Sequence, residues 1–117
     1  MRLNEITFTD AKPVEGYGPG FFRIGGEVIT GGVLTGPTGT VPWGGYDDVA
    51  PLVALGRKVD VLFVGTGADI AHIPEAFRTR LEDAGLGLEV MSSPSAARTY
   101  NVLLSEGRRI ALAVLPV

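Results

Sequence analysis

The chain has 117 residues, ten Lys+Arg against thirteen Asp+Glu, one His and no Cys, with 45% hydrophobic residues and a formal net charge of −3. These values describe one folded domain: surface scaling for 12.3 kDa lets roughly 65% of the unfolded chain's surface be buried, enough for a core without staples. The acidic balance argues against nucleic acid as a partner, the missing Cys removes disulfides, thiolate nucleophiles and Cys-ligated zinc, and no apolar run is long enough to insert into a bilayer.

The opening MRLNEITFTD lacks the basic-then-apolar design of a secretory signal, which predicts a cytoplasmic chain read from its true start. Gly16-Tyr17-Gly18-Pro19-Gly20 reads as a loop, because three glycines and a proline specify a sharp backbone path. Phe21–Ile24, then Gly25-Gly26, then 27–34 read as two strands joined by a two-residue turn requiring positive φ, a hairpin signal. Trp43, between Pro42 and Gly44-Gly45, reads as a lid over the core.

From residue 47 helices alternate with strands. Asp47 or Asp48 is expected to cap a short helix through Leu55, with Pro51 in its first turn and Gly56 ending it. The run 59–64 is almost continuously apolar, as a strand buried on both faces must be. Pro74 opens a helix with Phe77, Leu81 and Ala84 on one face, and Gly85 closes it. A strand over 86–91 follows. Ser93 and Pro94 then read as cap and first position of a helix with Ala96, Tyr100 and Leu103 on its apolar stripe, ended by Gly107; 109–115 is the last buried strand. The predicted fold is α/β: a single compact domain over 1–117, with a mixed, partly parallel sheet, an N-terminal β-hairpin and flanking helices.

Few residues carry chemistry. Gly65-Thr66-Gly67-Ala68-Asp69 follows a buried strand, where a Gly-rich turn can aim backbone N–H groups at an anion, although Ile70 stands where a dinucleotide fingerprint needs its third glycine. His72 reads as a surface loop residue with no elbow serine and no carboxylate at metal-ligand spacing, so neither a catalytic residue, a metal site nor a cofactor is expected. The richest cluster is Arg98-Thr99-Tyr100-Asn101: on a helix, Arg98, Asn101 and Ser105 share a polar face beside the buried Tyr100 stripe. A guanidinium there suits a carboxylate, a phosphate or an acidic partner surface, or else holds the scaffold.

Four separated stretches also carry a resemblance: Gly16-Tyr17-Gly18-Pro19-Gly20-Phe21, Val64-Gly65-Thr66-Gly67, Glu89-Val90-Met91, and Ala96-Ala97-Arg98-Thr99-Tyr100-Asn101-Val102-Leu103 with Glu106-Gly107-Arg108-Arg109. In this order they resemble a small, largely uncharacterised domain family that includes mitochondrial complex I (NADH dehydrogenase) assembly factor three and the adipogenesis-associated domain proteins. The resemblance implies a single-domain α/β fold with a mixed sheet, and no reaction. It implies a protein partner, in a membrane or respiratory complex for the mitochondrial relatives. Many members carry Cys where this chain has Ala97, so no thiol role transfers. With no mitochondrial presequence, a bacterial cytoplasmic member is expected. The first expectation is therefore a non-catalytic protein-binding domain using Tyr17, Arg98, Tyr100 and Asn101 with the two Gly-rich loops. The alternative is a small-molecule or anion site, or an enzyme of unknown reaction, built from Gly65, Thr66, Gly67 and Arg98, at a strand end where α/β sheets hold ligands.

Overall fold

A computed structural model of the chain describes residues 11–117; the MRLNEITFTD segment read above for a signal lies outside the described residues. Among the described residues eight strands and three helices follow one another as β1 (Val14–Gly18), β2 (Phe21–Ile24), β3 (Glu27–Thr30), β4 (Gly32–Gly36), β5 (Gly39–Trp43), α1 (Ala50–Val53), β6 (Val61–Gly65), α2 (Glu75–Asp83), β7 (Gly87–Met91), α3 (Ser93–Ser105) and β8 (Ile110–Val114). A 3-10 turn, Gly56–Lys58, links α1 to β6.

The strands form two sheets. One is an antiparallel meander, β1-β2-β3; the other has the order β5-β4-β8-β6-β7, with β4 antiparallel to both β5 and β8, and β6 parallel to both β8 and β7. The mixed α/β architecture is the expected one. Its parallel half is built by β6-α2-β7 and β7-α3-β8, since parallel neighbours need a crossover long enough to hold a helix.

The two apolar runs are continuous because the large sheet is covered on both faces. Leu62, Val64, Ala111 and Ala113 point into one core with Leu52 of α1 and Phe77 and Leu81 of α2. Phe63, Ile110, Leu112 and Val114, one residue out of phase, point into a second core with Ala96 and Tyr100 of α3 and Phe22 and Ile24 of the small sheet. The small sheet and α3 thus share one face, which brings β1 beside α3.

Several local expectations are corrected. The run 27–34 is not one strand: Gly31, at φ +86°, turns the chain out of the small sheet after Thr30, and Gly32 starts β4 in the large one. Residues 16–18 are strand, not loop; Pro19 and Gly20 alone make the turn into β2. Trp43 is 3% exposed, as a lid over the core would be, but it ends β5, a strand the sequence did not announce. Neither Asp47 nor Asp48 caps α1, whose N-cap is Val49 with no side-chain bond; the Asp48 carboxylate accepts from Gly44 N–H at 2.8 Å instead. The cap of α3 is Ser92, whose hydroxyl accepts from Ser95 N–H at 3.4 Å, which frees Ser93 for another role.

Candidate functional site

The expected polar face of α3 divides on folding. Asn101 points at β1, where its Oδ1 accepts from Val14 N–H at 2.8 Å and its Nδ2 donates to Val14 C=O at 2.9 Å. A side-chain amide thereby does for one residue of an edge strand what a neighbouring strand would do. Ser105 turns back, donating to the Val102 carbonyl at 2.6 Å. Arg98 is exposed, and among the described residues its guanidinium has no carboxylate or hydrogen-bond acceptor as partner.

Opposite Arg98 stands Tyr17 of β1, 47% exposed, its ring tilted against Phe22 with centroids 6.3 Å apart. Between them runs a groove of about 240 Å³, lined by Glu15 and Tyr17 from β1 and by Pro94, Ala97, Arg98 and Asn101 from α3. Glu15 is the acidic residue that lines the groove with Arg98, but the register of β1 slips between Val14 and Gly16, and such a bulge re-aims a side chain. The Glu15 carboxylate accepts from Gly26 N–H at 2.9 Å, across the β2–β3 turn. The groove thus presents an aromatic ring on a braced edge strand and, across from it on α3, an unpaired cation.

Tyr100 lies beneath this surface. It is fully buried, and its hydroxyl donates to the Lys12 carbonyl at 3.0 Å. Burial disfavours the phenolate and pushes the hydroxyl's pKa up to about 12, against a smaller opposing pull from Thr35. Tyr100 therefore orders the segment before β1 and offers nothing to a partner at the surface.

The glycine-rich turn after β6 is consumed by the fold. Thr66 N–H donates to Met91 C=O at 2.9 Å and Gly67 N–H to the Ser93 hydroxyl at 2.9 Å. The Thr66 hydroxyl donates to Asp69 C=O at 2.7 Å and accepts from Ala71 N–H at 3.0 Å. Ser93, fully buried, also donates to Leu115 C=O at 2.6 Å, so one hydroxyl ties the turn, the start of α3 and the end of β8. A Cβ on Gly65 would lie 2.7 Å from Ser93 Cα and 2.6 Å from a Val114 methyl, so the glycine is there to let α3 approach the sheet. Gly65, Thr66 and Gly67 are not in the groove that holds Arg98. The anion cradle expected of the 65–67 turn is thus not formed by these N–H groups, because the protein uses them itself.

Among the described residues no group of three or more His, Asp or Glu could hold a metal ion. His72 is exposed in the loop before α2, beside Glu75 and Arg78. Sequence reasoning missed what Ser93 and Asn101 do; the only available signal for Asn101 was an amide one helical position from the apolar stripe.

The fold and this groove define a three-layer α/β domain with an exposed cationic-aromatic groove beside an edge strand. The chain belongs to the family described as "Protein of unknown function (DUF498/DUF598)", whose model matches residues 14–115. It is 53% identical over 117 residues to an uncharacterized protein of Rhodobacter capsulatus, covering 100% of this chain and 94% of that one. It is 30% identical over 107 residues to NADH dehydrogenase (ubiquinone) 1 alpha subcomplex assembly factor 3 of Danio rerio, covering 86% of this chain but only 62% of that protein's length. The crystal structure of an outer membrane protein from Bartonella henselae superposes with a TM-score of 0.83 at 29% identity, covering 92% of this chain and 96% of that one.

Proposed function

We propose that this chain is a non-catalytic protein-binding domain whose contact surface is the groove between β1 and α3, with Tyr17 and Arg98 as anchors and Asn101 as the residue that positions β1. The observation that carries the reading is the pairing, in one groove, of a half-exposed aromatic ring with an unpaired guanidinium. Aromatic residues and arginine dominate binding energy at protein interfaces. The similarity to an assembly factor of a respiratory complex supports a protein partner, and we extend this to a partner belonging to a membrane or respiratory complex. An anion held jointly by Arg98 and the 65–67 turn has lost its geometric support, since that turn's donors are occupied.

Crosslinked capture from the native host identifies the partner, and binding of the purified pair is then compared for wild type, Tyr17→Ala and Arg98→Ala. Each substitution is expected to weaken binding by about tenfold or more while leaving the melting temperature unchanged. Unaltered affinity in both variants refutes the reading. We place the protein in the cytoplasm of a bacterium; among the described residues no helix is long and apolar enough to cross a membrane. Cell fractionation tests this, and recovery in the outer-membrane fraction overturns it.

A further inference from the structure

At the end of α3 remote from the 65–67 turn, the surface carries a second concavity of about 350 Å³ that the partner groove does not include. Its floor is apolar, formed by Pro37, Leu104 and Ile110, and its rim is cationic, formed by Lys58, Arg108 and Arg109. Arg57 adjoins the rim, since its carbonyl accepts from Arg109 Nη2 at 2.6 Å. Three of the chain's ten basic residues therefore line one concavity of a protein with net charge −3.

Part of this charge is structural. Arg109 bonds the Arg57 carbonyl and lies 3.4 Å from the Asp60 carboxylate, so it fastens the 3-10 turn to the start of β8. Lys58 and Arg108 are different: among the described residues neither side chain meets a carboxylate or an acceptor. Arg108 is not needed to cap α3 either, because the Leu103 and Leu104 carbonyls already accept from the N–H groups of Glu106, Gly107 and Arg108. Two unengaged cations beside an apolar floor of this volume match the general build of a small-ligand site, a mostly apolar concavity with a few charged groups that fix orientation.

We propose that this cleft binds a small amphiphilic organic anion, with its phosphate or carboxylate at Lys58 and Arg108 and its apolar body on Leu104, Ile110 and Pro37. The site is independent of the β1–α3 groove, so either can fail without the other. The test is an amide NMR titration of the full chain with phenyl phosphate, run beside inorganic phosphate and benzyl alcohol, which carry only the charge or only the apolar body. The proposal expects saturable shifts at Leu104, Gly107 and Ile110, with each half-ligand binding about tenfold more weakly. The double variant Lys58→Gln/Arg108→Gln, exposed at both positions, is expected to lose about tenfold in affinity with its melting temperature retained. Equal affinity for phenyl phosphate and inorganic phosphate overturns it, as does affinity unchanged in the double variant or no saturation by about 10 mM. Binding to phosphatidylglycerol vesicles without a response to phenyl phosphate overturns it as well, because the patch is then a membrane contact.

Discussion

Replacing Asn101 by alanine removes two hydrogen bonds that join α3 to a residue 87 positions earlier, at 2.8 and 2.9 Å. Each contributes about 1 kcal/mol net, and Val14 is buried enough that its freed N–H and C=O will not be fully rehydrated, so the expected loss is about 2 kcal/mol. For a domain of this size that corresponds to about 8 °C in Tm. Asn101→Asp is the sharper probe: the carboxylate still accepts from Val14 N–H, but it sets a second oxygen against Val14 C=O, so its cost should equal or exceed that of alanine. Urea unfolding gives the stabilities, and amide exchange should show Val14 losing protection in both variants beyond the global change. An Asn101→Ala protein within about 0.5 kcal/mol of wild type, or an Asn101→Asp protein as stable as wild type, would refute the strand-clamp argument. If the clamp holds, partner affinity should also fall, because Tyr17 stands on the strand that Asn101 fixes.

Tyr100 predicts a loss of stability in alkali: its hydroxyl titrates near 10 unfolded and at about 12 folded, so stability is complete below pH 10 and falls as pH rises to 12, by about 2–3 kcal/mol. Tyr100→Phe should be less stable at neutral pH by about 1 kcal/mol for its lost bond to Lys12 C=O; its shallower fall, read by urea unfolding across that window, isolates Tyr100 from Tyr46, whose pKa burial also raises. Ser93→Ala leaves the buried Gly67 N–H without an acceptor and the part-buried Leu115 C=O without its donor, and should cost about 2 kcal/mol, with faster exchange at Gly67; an unchanged exchange rate would count against the stitch. Gly65→Ala forces a Cβ against Ser93 Cα at 2.7 Å and should cost about 1–3 kcal/mol in thermal melts; a neutral result would show that α3 can back away from the sheet.

The strands most legible in the sequence are those whose residues face a core on both sides of the sheet. Val61–Gly65 and Ile110–Val114 announce themselves because neighbouring residues serve opposite faces of one sheet, leaving no polar position in the run. β5 is the converse: as an edge strand it exposes Val41 and carries Pro42, a residue tolerated at an edge because the missing N–H is needed by no neighbour. Its pattern is that of a loop, and only pairing with β4 makes it a strand. The division of 27–34 between two sheets was equally hidden, since Gly31 reads as an ordinary strand interruption until the second sheet is in place.

The same distinction separates the parts of the groove. Spacing on α3 put Arg98 and Asn101 on one side of a helix, and residue chemistry marked Tyr17 and Arg98 as able to contact a partner. What spacing could not say is which polar groups the fold keeps for itself. Asn101, Ser93 and the N–H groups of Thr66 and Gly67 are all donors or acceptors suited to a ligand, and each is engaged by backbone or a hydroxyl from another part of the chain. Arg98 and Tyr17 differ in having no such engagement among the described residues beyond the ring contact with Phe22. A buried polar group must find a partner inside the protein, whereas an exposed one need not. Polar residues left unengaged on a braced surface are therefore the ones whose chemistry remains available to a second molecule.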